Sequence, residues 1–152
     1  HELQHGVDRH SKTIIAMNIE LLLDYCVRFY ERQFITRNEV NRDILVRFEN
    51  VLDEYFVSDR SQQIGLPSVG YCAGKLHLSP NYFGDLIKKE TGRTAQEHIQ
   101  MKLIDLAKER VFDTGKSISE IAYELGFKYP QHFTRLFKRI VGQTPNQYRM
   151  MN

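Results

Sequence analysis

Residues 117–145, SISEIAYELGFKYPQHFTRLFKRIVGQTP, repeat in outline residues 68–95, SVGYCAGKLHLSPNYFGDLIKKETGRTA. Val69, Cys72, Ala73, Leu76 and Leu78 answer to Ile118, Ile121, Ala122, Leu125 and Phe127 at a constant offset. One residue is then gained in the turn, after which Phe83, Leu86, Ile87, Gly92 and Thr94 answer to Phe133, Leu136, Phe137, Gly142 and Thr144. Each copy reads as a short helix, a tight turn and a second helix with a polar outer face. That is the layout of a helix-turn-helix unit, and two copies on one chain suggest two adjacent major grooves.

The end signals of these helices are explicit. Ser79 followed by Pro80 supplies an N-cap and a first helical position, and Gly92 stops that helix. Thr94 with Glu97 opens the next helix as a capping box, and it runs from residue 95 to about residue 112 as a rod between the copies, presenting Ile99, Leu103, Leu106 and Ala107. Ser117 with Glu120 caps the second unit, Gly126 serves its turn, and Thr144 with Pro145 restarts the chain after Gly142. A rod of roughly eighteen residues spans about 27 Å, close to the ~34 Å advance of one DNA turn once the flanking turns are added. Two rigidly held helices at that separation also favour bending the duplex.

Upstream, residues 11–33 carry Ile15, Ile19, Leu22, Cys26 and Phe29 at helical spacing, broadened by Leu23, Val27 and Tyr30. Thr36 and Glu39 form a capping box ahead of Val40, Ile44, Leu45, Phe48, Val51, Leu52, Tyr55 and Phe56, so the spacing predicts a second helix and a hairpin over residues 1–57. Residues 58–66 lose the period and gather Ser, Gln, Gly and Pro, the composition of a linker, and residues 67–152 hold the two repeats. The expected class is all-α: two helix-turn-helix units joined by a long connecting helix and preceded by a helical hairpin. The apolar surface of residues 10–57 exceeds what one hairpin covers, which predicts a homodimer.

Composition agrees with a globular protein: 152 residues, 41% hydrophobic. Runs such as residues 14–17 and 21–23 are too short to span a bilayer and no secretory signal precedes them, so a cytoplasmic protein with no membrane partner is expected. The chain opens on His1, which suggests a piece of a longer protein. Its net charge of +2 is uneven: residues 1–60 hold 8 Lys+Arg against 11 Asp+Glu, residues 61–152 hold 13 against 8. A basic half containing the repeats fits a nucleic-acid partner. Cys26 and Cys72 lie on apolar helix faces and form no CxxC pair, so both read as small buried hydrophobes.

In the second copy, the 3.6-residue period puts Phe133, Leu136, Phe137 and Ile140 in the core and Gln131, Thr134, Arg135 and Lys138 opposite them. Arg reads guanine, Gln adenine and Thr either, so Gln131, Thr134 and Arg135 are candidate base contacts, with a solvated polar face as the plain alternative. The matching face of the first copy, Asn81, Gly84, Asp85 and Lys88, is poorer: Asn81 and Asp85 are candidate base contacts, while Tyr82 and Lys88 position the unit. Backbone contacts are expected from Lys128, His132 and Lys138, and from Arg93, Thr94, Gln143 and Thr144 beside helix N-termini. Capping alone would also explain both threonines.

On these residues the chain resembles the AraC/XylS family of bacterial transcription regulators. SISEIAYELGFKYPQHFTRLFKRIVGQTPNQYR, residues 117–149, carries the resemblance, supported by LHLSPNYFGDLIKKETG, residues 76–92, and it extends over residues 66–149. It implies sequence-specific DNA binding, with Gln131, Thr134 and Arg135 at base-contacting positions. Asn81, Gly84 and Asp85 depart from the larger donors usual in the first unit. It also implies contacts to RNA polymerase, dimerising helices at residues 10–57, and a sensor domain with a small-molecule effector outside this chain.

Two other classes compete. An enzyme would need a metal motif, phosphate loop or nucleophile elbow, and none is written here; the histidines at 1, 5, 10, 77, 98 and 132 lack ligand spacing, so no metal or cofactor is expected. Some DNA-repair proteins join a related module to a reactive cysteine, but Cys72 falls on the inner side of a support helix. A protein-interaction module without DNA binding would account for Gly84 and Asp85 but not for Arg135 and the basic excess.

Overall fold

A computed structural model describes residues 9–151, and every regular element among them is an α-helix. In chain order these are α1 (Arg9–Val57), α2 (Arg60–Ile64), α3 (Val69–Lys75), α4 (Pro80–Thr91), α5 (Ala95–Arg110), α6 (Ile118–Glu124), α7 (Pro130–Val141) and α8 (Pro145–Met151). None is long and apolar enough to cross a membrane. Contacts divide the chain into two units, one ending at Arg42 and the other beginning at Asp43.

The expected hairpin is replaced by one uninterrupted helix, α1, which passes through residues 33–36 without a turn. Its 49 residues contain neither Gly nor Pro. Thr36 does not cap: its hydroxyl donates to the Arg32 carbonyl at 2.9 Å, the back-bond that lets threonine sit inside a helix. Along the described part of the first unit Ile15, Ile19, Leu22, Leu23, Val27, Phe29, Tyr30 and Val40 are exposed, and so is Cys26, contrary to its expected burial.

The second unit takes in the rest of α1, which moves the expected boundary at residue 57 back to residue 43. Ile44, Phe48, Leu52, Tyr55 and Phe56 are buried in one core with both repeats. The Phe48 ring meets Phe83 of α4 edge-on at 5.0 Å, and Lys102 of α5 pairs with Asp53 at 2.5 Å. Nor are residues 58–66 a free linker. They hold α2, whose Ser61 is buried with its hydroxyl on the Glu124 carbonyl at 3.4 Å, and the Tyr55 hydroxyl donates to Gly65 O at 2.7 Å.

Both turns of the duplicated units have one geometry. The Leu78 N–H donates to Ala73 O at 2.9 Å and the Phe127 N–H to Ala122 O at 3.0 Å. The residue before each is left-handed: His77 at φ 57° and Gly126 at φ 97°. Between the units, α5 buries Ala95, Ile99, Leu103, Ile104 and Ala107; its 16 residues span about 24 Å. Arg149 of α8 ties its far end, donating to Val111 O at 2.6 Å, Lys116 O at 2.9 Å and Asp113 O at 3.2 Å.

The expected capping boxes at Thr94 and Ser117 are formed. Their N–H bonds hold the Glu97 and Glu120 carboxyls below the usual carboxylate range. A folded pKa below the unfolded value contributes stability that is present above the unfolded pKa, roughly 4.3, and lost as pH falls through the folded one. Glu97→Gln with Glu120→Gln should therefore lower stability at neutral pH and flatten its fall between about pH 5 and pH 3. Gln147 shows that glutamine can do the capping, accepting from the Thr144 N–H at 2.9 Å. Urea midpoints across that window check this; unchanged acid sensitivity would rule the two carboxylates out.

Candidate DNA interface

Each outer helix is held by its inner face. Pro130 starts α7 after an extended Tyr129 (φ −128°, ψ 118°), since proline keeps the preceding residue out of the helical region. Phe133, Leu136 and Phe137 are buried, fixing the helix rotation. Gln131, His132, Arg135 and Lys138 are then exposed, and Thr134 is partly buried at the edge of that stripe. Ile140, expected in the core, is 38% exposed, because it lines an open groove between the last turn of α7 and α5 instead of meeting a packed neighbour. At the N-terminus Lys128 Nζ lies 5.5 Å from the centre of the Tyr129 ring, which meets His132 at 5.5 Å.

In the first unit Ser79 caps α4, accepting from the Tyr82 N–H at 3.3 Å, and Phe83, Leu86 and Ile87 face inward. Asn81, Tyr82, Asp85 and Lys88 are exposed together. A Cβ on Gly84 would meet nothing within 4 Å, so the middle of this face is an open step where the other unit carries Thr134. The two faces differ in kind: α7 offers Gln131, Arg135 and Lys138, whereas α4 sets Asp85 beside Asn81 and Lys88.

The turn residues proposed for phosphate divide. Thr94 and Thr144 both act as N-caps, accepting from the Glu97 and Gln147 N–H groups at 3.2 Å. Arg93 is exposed with Nη1 2.9 Å from the Met101 sulfur, and Gln143 is partly buried. Sequence reasoning missed Arg139, exposed on α7 with Nη2 3.0 Å from Gln100 Oε1 of α5. Its place four residues after Arg135 was the available signal.

Cys72 is fully buried, and burial pushes its thiol up to about 11, so little thiolate exists near neutral pH. Among the described residues, no three His, Cys, Asp or Glu side chains gather in a way that could hold a metal.

Comparison with known proteins agrees with this arrangement. Residues 72–151 match the family model described as a helix-turn-helix domain. The chain is 33% identical over 144 residues to the transposon Tn10 TetD protein of Escherichia coli, covering 94% of this chain and 91% of that one. It is 32% identical over 103 residues to the bifunctional transcriptional activator/DNA repair enzyme AdaA of Bacillus subtilis, covering 68% of this chain and 47% of that one. The chain spans from a tenth to about half the length of three Bacillus subtilis relatives, AdaA among them. Its fold resembles the C-terminal domain of AraT, a response regulator from Geobacillus stearothermophilus, with a TM-score of 0.62 at 27% identity, covering 72% of this chain and 85% of that one. The chain belongs to the AraC-type helix-turn-helix family of transcriptional regulators.

Proposed function

We propose that this chain is the sequence-specific DNA-reading part of a transcription regulator, with α4 and α7 in successive major grooves and α7 the principal reader. The observation that carries this reading is the outward stripe of α7, where Gln131 and Arg135 stand exposed on a helix locked by Phe133 and Phe137. Arg135 and Gln131 have the donors for guanine and adenine edges, with Thr134 beside them. Asp85 contributes less in the first unit, since a carboxylate can accept from a base amino group such as cytosine N4 but repels phosphate, and Asn81 stands beside it. Lys128, His132, Lys138, Tyr82, Lys88 and Arg93 hold the duplex by its backbone, and Thr94, Thr144 and Gln143 aim the turns.

The two kinds of contact separate in a binding assay. Arg135→Ala should cost about 1–3 kcal/mol on the preferred site and relax its base preference. Arg93→Ala should weaken preferred and random duplexes alike and lower the salt slope by about one unit. Neither side chain belongs to the core, so both variants should fold. An unchanged ratio of preferred to random binding in Arg135→Ala would move the principal readout to α4 or to DNA shape.

Self-association is the second part of the reading. The apolar residues proposed for it narrow to 14–40, because Ile44 to Phe56 already serve the core of the second unit. Contiguous apolar surface of this extent favours pairing with another copy. Sedimentation at micromolar concentration should show a dimer, and Leu22→Glu with Phe29→Glu a monomer; a monomeric wild type would refute the assignment. Promoter control through RNA polymerase, and an effector bound by a domain outside this chain, are what the family implies for the whole regulator.

A further inference from the structure

Between the first turns of α5 and the last turn of α7 runs an open groove of about 710 Å³ lined by Arg93, Glu97, Gln100, Met101, Arg139 and Ile140. Arg139 also borders a second groove, shared with His132 and Arg135 of the reading helix. Being four residues apart, Arg135 and Arg139 lie on one side of α7. A line of guanidinium groups therefore leads from the reading face of α7, through Arg139, to Arg93 at the exit of α4. The Gln100 amide oxygen accepts from Arg139 at 3.0 Å and so restricts its swing. The one acid in the groove, Glu97, accepts from the Thr94 N–H at 2.7 Å and hydroxyl at 3.0 Å, which draws one of its oxygens to the start of α5 while its charge stays beside Arg93.

A strand that leaves one major groove and enters the next must pass its phosphates over whatever lies between the two reading helices. We propose that this groove is a phosphodiester seat, in which Arg139 and Arg93 grip the backbone between the two major-groove sites and Gln100 is the positioning residue for Arg139. The seat rests on α4 and α7 reading one duplex, as argued above. Arginine suits the task because its planar fork meets two phosphate oxygens at once, while one of its donors stays on Gln100.

The test uses the full chain and a duplex selected from a random pool for binding to it, made also with neutral methylphosphonates at the linkages between the two half-sites. Wild type should lose about thirtyfold in affinity on the neutral duplex at ~0.15 M salt, the share of two contacts. Arg139→Gln should lose about five- to tenfold on the ordinary duplex, with a salt slope lower by about one unit and base preference unchanged, and should match wild type on the neutral one. Arg139→Lys, which keeps charge and stem, should recover most of the salt slope, and Gln100→Ala should show part of the loss. Equal losses by Arg139→Gln on both duplexes would overturn the seat. So would Arg139→Lys binding no better than Arg139→Gln, or, should Arg139→Gln fail to fold, a wild type indifferent to neutralisation. A random pool from which the wild type selects no duplex sinks the DNA-reading assignment itself.

Discussion

Gly126→Ala is expected to cost about 3–4 kcal/mol, a large fraction of a small domain's stability, and to weaken DNA binding near physiological temperature. Two effects add. At φ 97° an L-residue is strained by about 1–2 kcal/mol before any contact is considered. An added Cβ would also stand 2.6 Å from the Ser61 carbonyl oxygen and 3.1 Å from the Gly65 carbonyl carbon, both backbone atoms. That oxygen cannot simply retreat, for it accepts the Gly65 N–H at 3.0 Å while Tyr55 holds the Gly65 carbonyl. Gly92→Ala is the natural comparison, because its φ is 74° but a Cβ there meets nothing within 4 Å. It should cost only the strain, about 1–2 kcal/mol. Urea denaturation of both variants measures the difference; equal losses would mean that α2 yields to the methyl group.

Phe48→Ala is expected to cost about 3–5 kcal/mol, although the residue lies outside both repeats. Its side chain is 1% exposed, meets Phe83 at 5.0 Å and His98 at 6.0 Å, and fills the space between α1, α4 and α5. Truncation to alanine removes the buried ring and leaves a cavity under the first reading helix. Phe48→Leu, which refills part of that volume, should recover more than half of the loss. Denaturation reads the stability, and affinity at a temperature where the variant is still folded reads how far α4 has shifted. A cost below about 1 kcal/mol for Phe48→Ala would show that the last turns of α1 do not support the DNA-reading core.

The sequence alone determined the duplicated units, their caps at Ser79, Thr94 and Ser117, the left-handed stops at Gly92 and Gly142, and the outward placement of Gln131, Arg135, Asn81 and Asp85. These features are local: a hydroxyl bonds an N–H three residues on, and a side chain's face follows from the rotation per residue. Wherever a neighbour distant in sequence decides, the same local rules misled. Thr36 and Glu39 spell a capping box, yet a threonine hydroxyl is equally satisfied by the Arg32 carbonyl inside an unbroken helix, so no turn forms. Cys26 and Phe48 occupy similar apolar stripes of α1; one is exposed and the other buried, because a stripe announces only that a partner is wanted. The tertiary structure alone decided that Phe48 finds Phe83, that α2 docks where a linker was expected, that the Ser61 carbonyl closes the space beside Gly126, and that Gln100 reaches Arg139 across the groove. Each of these depends on two segments arriving at one point in space, a condition set by the packing of the whole core rather than by any stretch of the chain.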